Sequence, residues 1–376
     1  MENQNDPGLK RMLSLDALRG FDMFWIMGGG AIFVGLAKIS DWPVIQWWAE
    51  QQEHVPWHGF HFEDMIFPLF LFIAGISFPF SIAKRLSRKD SLKSIYSHII
   101  IRALILGFLG FLYVNNGVRF DFANLRYPSV LTRIGLAWMF ASFIFLNTKL
   151  SFRILWFWGI LIGYWLLLLL FPAHDLGSTD IFSPEGNLTS FLDRHLLPGK
   201  FYQGNPIHDP EGLLATLPAI GTALLGMFTG EFMQSKYLND KPLKKVLYLV
   251  LVAAALMIIG QIWNLAFPIN KNLWTSSFVC FVGGISLLLF AIFYLVIDIW
   301  HFTKWTLFFV VIGMNPITIY LALKIINFKM ATKFFFGGLN DLFPEEWAPF
   351  ITGVGITAIG WVFLYILYKK KIFLKV

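Results

Sequence analysis

Between His54 and Ser81 the chain reads HVPWHGFHFEDMIFPLFLFIAGISFPFS. Three histidines and two carboxylates (His54, His58, His61, Glu63 and Asp64) stand directly ahead of an apolar run long enough to cross a bilayer. Ionisable groups so dense beside lipid are costly unless something uses them. The chemistry these residue types suggest is proton transfer, because an imidazole titrates near neutrality and a neighbouring carboxylate fixes its tautomer and orientation. His54 is the candidate base, with Asp64 or Glu63 orienting it, although any one of these histidines taken singly is ordinarily a surface loop residue. Metal binding is the other chemistry open to His54, His58 and His61, whose i, i+4, i+7 spacing would suit a zinc site on a helix. Pro56 argues against that, since it disfavours a continuous helix and pushes Val55 out of the α region. No metal is expected.

The rest of the chain must position this stretch, and its composition says how. Of the 376 residues 57% are hydrophobic and 14% charged, against about 25% charged in soluble domains. The expected fold is all-α, a polytopic transmembrane helical bundle. Apolar runs of about twenty residues fall near 15–37, 62–83, 95–114, 128–147, 152–172, 213–233, 246–267, 275–297, 305–327 and 347–368, giving about ten spans. No linker or low-complexity segment divides them, so residues 1–376 are read as a single integral-membrane domain. The first apolar run lacks a small-residue cleavage site and is read as a retained span. Cys280 lies inside an apolar run, which leaves no disulfide framework within one chain.

Lys and Arg collect on alternate connections: Lys10 and Arg11, the cluster from Lys84 to Lys93, Lys149 and Arg153, Lys236 to Lys245, Lys304, and the tail from Lys369 to Lys375. Those connections are expected to be cytoplasmic, with both termini, and the His54 loop to face the other side. The net charge of +7 reflects this asymmetry and leaflet electrostatics, and makes no case for nucleic acid.

Several polar groups stand where a buried site would need them. Asp16, Arg19 and Asp22 share a helix face, either as an interfacial cluster or as a lining for an anionic ligand. Arg102 and Arg133 fall inside the third and fourth spans, where an unpaired guanidinium is not expected. His208-Asp209-Pro210-Glu211-Gly212 is a helix start signal. Gln261 and Asn264 precede a short loop that carries Lys271, and Gly313-Met314-Asn315-Pro316 should kink the ninth span and free Asn315 to reach inward. Trp57 is by default an interfacial aromatic.

As a set and in this order, SLDALRG (14–20), HVPWHGFHFEDMIFPLFLFIAGIS (54–77), RYPSVLTRIGLAW (126–138), DPEGLLATLPAI (209–220), INKNLW (269–274), GMN (313–315) and YKKKIF (368–373) resemble the heparan-α-glucosaminide N-acetyltransferase family of membrane enzymes and their bacterial relatives. One position departs: Ile26 and Met27 stand before the glycine triplet where family members can carry an Asn. The resemblance implies transfer of the acetyl group of cytosolic acetyl-CoA, as co-substrate, to the amino group of a glucosamine across the membrane. It places the family's essential histidine on His54 and its Asp on Asp64. Arg19, Arg102 and Arg133 are then candidates to hold acetyl-CoA, and Trp57, His58, Glu211, Asn264, Lys271 and Asn315 to contact the amino sugar or the oxyanion. His54 could act as a general base or carry the acetyl group itself. An amino-sugar carrier without chemistry and a polysaccharide O-acetyltransferase are the alternatives. The compact length suggests a bacterial cytoplasmic (inner) membrane with the His54 loop in the periplasm, and a homodimer is compatible with the sequence.

Overall fold

A computed structural model describes residues 12–117, 120–235, 237–238 and 240–374; Lys10, Arg11, Lys236 and Lys375 of the charge argument lie outside them. Among the described residues there are helices and no strand, only an isolated bridge between Arg126 and Gly199. In order the helices are α1 (Leu13–Phe24), α2 (Gly30–Leu36), α3 (Pro43–Glu50), α4 (Glu63–Ser87), α5 (Leu92–Val114), α6 (Val130–Asn147), α7 (Leu150–Leu170), α8 (Leu188–Leu196), α9 (Thr216–Gln234), α10 (Pro242–Asn264), α11 (Ser276–Phe293), α12 (Thr306–Gly313), α13 (Pro316–Ile325), α14 (Phe328–Phe336) and α15 (Ala348–Lys369). This is a polytopic helical membrane protein. Eight helices among the described residues are long and apolar enough to cross a bilayer, α1 and α2 counting together as Leu13–Leu36. The pair α12 and α13, bent by 72° at Met314-Asn315, makes a ninth if it is one span.

The remaining run of the expected ten is α9, whose 19 residues, TLPAIGTALLGMFTGEFMQ, fall short of the apolarity of those spans. Its surroundings explain the composition: it is buried along most of its length, chiefly against α4. A helix facing protein rather than lipid needs small residues for close approach more than it needs hydropathy. A Cβ on Gly226 would stand 2.1 Å from the Phe72 carbonyl oxygen, and one on Gly75 2.4 Å from that of Ala223. These two backbones therefore touch, and α4 is fixed at the bundle centre. α1 is held in the same way, since a Cβ on Gly313 would lie 2.0 Å from the Asp16 carbonyl oxygen. Between α1 and α2 a π-helical turn, Trp25–Gly29, contains Gly28 at φ +149°, a conformation reserved for glycine.

Candidate active site

Glu63 and Asp64 open α4, and Asp64 turns back on the loop before it. Its Oδ2 accepts from the His61 amide at 3.0 Å, and its Oδ1 lies 2.9 Å from His54 Nδ1. Asp64 is only 1% exposed, so a rigid helix end holds the carboxylate while the imidazole stays open to solvent. A carboxylate only accepts. Nδ1 therefore donates to it, and Nε2 is left as the basic nitrogen.

The loop between α10 and α11 brings in a third group. Asn264 Oδ1 accepts from the Ile269 amide at 2.7 Å, and Asn270 Oδ1 from the Leu273 amide at 2.9 Å. Trp274, at φ +51°, buries its ring against Phe67 with centroids 4.8 Å apart. A positive φ is a true outlier for so bulky a residue, and here it turns the chain so that Lys271 reaches back. The Gly59 amide donates to the Ile269 carbonyl at 2.8 Å, which ties the two loops together. Lys271 Nζ lies 3.1 Å from both ring nitrogens of His54 and 3.6 Å from Asp64 Oδ1. A nitrogen equidistant from Nδ1 and Nε2 at that range would collide with Cε1 if it were in the ring plane, so it sits over the imidazole face. Burial lowers the Lys271 pKa from its ordinary value, against the pull of Asp64, Glu211 and Glu63.

These groups open on a cavity of about 920 Å³, near the upper end of ligand pockets. His54, Glu63, Lys271, Arg126, Glu211 and His208 supply its polar wall, and Met23, Ile26, Phe70 and Ile317 its apolar depth. Arg126 grips Asp209 through Nε at 2.8 Å and Nη2 at 2.6 Å, and Nη2 also donates to Glu211. Burial opposes the charge of Arg126, but the bond to Asp209 and the charges of Glu211 and Asp209 outweigh it, raising its pKa above the ordinary value.

The other candidates lie apart from this cavity. Arg19 reaches Asp16 at 3.3 Å and Ser77 Oγ at 3.0 Å, while Arg102 stands 4.3 Å over the Trp138 ring. Arg133 donates to the Gly212 carbonyl at 3.2 Å, joining α6 to the approach to α9. Trp57 donates to the Phe182 carbonyl at 2.8 Å, and His58 Nδ1 meets the Asn270 amide at 3.3 Å. Burial lowers the His58 pKa, with Asp180 opposing. The amides of Asn264 and Asn315 are engaged by backbone, that of Asn315 pinning Ile372 and Leu374 at the tail. Sequence reasoning did not single out Tyr113, Tyr320 or Lys324, which also line the cavity. The Tyr320–Lys324 step, four residues apart after the Asn315-Pro316 break, was the available signal.

At the far end of α4 a second cavity, about 280 Å³, is lined by Ser81, Lys84, Arg85, Arg88 and Asp90. The two cavities share no lining residue. Between them α4 shows a half-buried stripe, Phe70, Ala74 and Ser77, on an otherwise buried helix.

Beside the main cavity Asp193 on α8 is wholly buried, its Oδ1 accepting from the Leu213 amide at 2.9 Å. Burial pushes its pKa up to about 7, against the Leu213 amide and Arg133. An unfolded Asp ionises at about 3.9, so between these values the folded state holds the extra proton and stability falls as pH rises. Asp193→Asn should flatten that slope. Melting followed from pH 4.5 to 7.5 in detergent checks it, and equal slopes in both proteins would show that Asp193 does not titrate in this window.

No family model matches the chain. It is 26% identical over 430 residues to heparan-alpha-glucosaminide N-acetyltransferase of Homo sapiens, covering 97% of this chain and 60% of that protein. To the Mus musculus protein of the same name it is 26% identical over 384 residues, covering 86% of this chain and 56% of the relative. The chain thus spans less than two thirds of the length of the curated relatives it matches. This similarity, covering most of a chain folded as a helical membrane bundle, supports the resemblance to the heparan-α-glucosaminide N-acetyltransferase family.

Proposed function

We propose that this protein is a transmembrane N-acetyltransferase that takes the acetyl group of acetyl-CoA from the cytoplasmic side and passes it to the amino group of a glucosamine-type sugar on the other. The observation that carries this is the His54–Asp64 pair, with Nδ1 held at 2.9 Å and Nε2 left over at a cavity wall. The acceptor nitrogen attacks the thioester carbonyl while Nε2 takes a proton from the amine. The Lys271 ammonium, over the ring, faces the oxygen that gains charge in the tetrahedral intermediate. Collapse of that intermediate breaks the carbon–sulfur bond, and the proton on Nε2 leaves with the thiolate as CoA thiol. Free amine, thioester, amide and thiol then balance without another reactant.

Two features support a donor entering from the opposite face. Lys84, Arg85 and Arg88 line a cavity suited to phosphates, and the stripe Phe70, Ala74 and Ser77 joins that end of α4 to the catalytic end. The alternation of basic connections supports a sidedness with the basic cavity in the cytoplasm and His54 in the periplasm of a bacterial inner membrane.

The test is reconstitution into sealed vesicles with radiolabelled acetyl-CoA on one side and glucosamine on the other. N-acetylglucosamine should form only when acetyl-CoA is on the side of Lys84. Counterflow of unmodified sugar without acetyl-CoA would instead identify a carrier, and label on oxygen an O-acetyltransferase.

A further inference from the structure

We propose that the acceptor reaches the cavity sideways from the outer leaflet, between α5 and α13, as an amino sugar carried on a lipid phosphate. This rests on the acetyltransferase reading of the same cavity.

Among the described residues α5 packs closely on α6 alone. Its buried residues, Ile95, Ile99, Ala103, Leu106 and Gly110, form one stripe, and that stripe lies on α6. A Cβ on Gly110 would stand 2.1 Å from Ser129 Oγ, and one on Gly135 3.1 Å from the Ala103 carbonyl oxygen. α13 packs on α1, α12 and the π-helical turn, and α5 and α13 are not a closely packed pair. Two helices that flank a cavity without packing on each other leave a seam. Side chains close it: the rings of Tyr113 and Tyr320 stack across it with centroids 4.3 Å apart and planes at 21°. Both rings line the cavity. A rotamer change of two tyrosines is a far smaller event than the separation of packed helices, so the seam is a door between cavity and lipid.

The chemistry at the door selects the ligand. Lys324, also on the cavity wall, is exposed and holds its ammonium 5.6 Å from the Tyr113 ring. Directly after α13, α14 exposes Lys329 and Lys333 on one side and Met330, Phe334 and Phe335 on the other, the last three 69%, 82% and 70% exposed. A short helix with that division lies along a membrane interface. Three lysines beside a lipid-facing opening suit a phosphate at headgroup depth. Inside the door, Phe70, Val114 and Ile317 give an apolar passage, and Lys271, Glu211 and Arg126 a polar end. A free hexosamine would use only the polar end. A sugar on a lipid phosphate also engages the lysines at the opening, with its sugar toward the polar end, its phosphate toward Lys324 and its chain in the bilayer.

The experiment compares acceptors on the full-length protein in nanodiscs with radiolabelled acetyl-CoA: free glucosamine, a water-soluble glucosamine disaccharide, and glucosaminyl polyprenyl phosphate. The lipid-linked acceptor should have a kcat/KM at least about tenfold above either soluble one, the effect of one additional interaction of about 1.4 kcal/mol. Lys324→Glu and Lys324→Ala should each lower that ratio, the first by about tenfold, as expected for loss of a charge-assisted contact. All three acceptors are assayed on the same preparation, so a folding defect cancels in the ratio. Acetylation of soluble glucosamine with a ratio near one, or a ratio unmoved by Lys324→Glu, overturns lateral entry and leaves the acetyltransferase reading standing. Acetylation of none of the three overturns both.

Discussion

His54→Ala is expected to lower kcat/KM for acetyl transfer by about 10²- to 10⁴-fold, the range of a positioned general base. The fall should appear in kcat rather than KM, because the proton moves only as the amine attacks. Asp64→Asn keeps the ring and tests the pairing itself. The Asn side chain can turn its amide toward Nδ1, which then accepts and leaves the proton on Nε2, the wrong nitrogen for a base. A loss of the same order is therefore expected although the side chain keeps its size and shape. A purely structural role would show differently, since His54→Ala would then lower melting temperature and leave kcat per folded molecule unchanged. Measuring kcat, KM and melting on wild type, His54→Ala and Asp64→Asn separates the two. A variant His54→Ala with wild-type kcat would remove His54 from the chemistry.

How far the sequence showed these features depends on whether neighbours in space are also neighbours in the chain. His54 and Asp64 are ten residues apart at one helix start, so loop and helix signals sufficed to bring them together. The break at Asn315-Pro316 was legible for the same reason, although the Asn315 amide pins the tail at Ile372 instead of reaching into the cavity. Arg133 shows the limit. Its position inside a span demanded a partner, but that demand is met equally by a ligand phosphate or by the Gly212 carbonyl it reaches, and periodicity cannot distinguish them. Tyr113 and Tyr320 lie on helices far apart in the chain whose rings stack on each other, and no local spacing announces such a pair. The expectation of about ten spans did not distinguish the character of α9, because hydropathy records how apolar a run is and not whether lipid or protein faces it. The glycines and threonines of that helix carried the information.

Arg126→Leu should have the largest effect on stability. Asp209 has no exposed side chain and Glu211 little, at 0% and 10%, and Arg126 bonds to both. Replacing the guanidinium leaves two enclosed carboxylates without their cation, and breaking a buried pair from one side costs about 3–5 kcal/mol. Asp209 also accepts from the Tyr202 amide at 3.0 Å and the Glu211 amide at 2.9 Å, so the fault spreads into the connection that forms one cavity wall, and KM for the acceptor should rise with the loss of stability. The pH dependence carries the sign. In the wild type the raised Arg126 pKa keeps the cation charged throughout the accessible range. In the variant the stranded carboxyls hold protons more tightly folded than unfolded, so stability returns as pH falls. Arg126→Lys keeps the charge but loses the two-pronged grip on Asp209, and should fall between wild type and Leu. Unfolding in detergent at pH 8 and pH 5 for the three proteins is the measurement. A Leu variant within about 1 kcal/mol of wild type at pH 8, in the range of an exposed pair, would mean that water reaches the carboxylates and that this wall of the cavity is open.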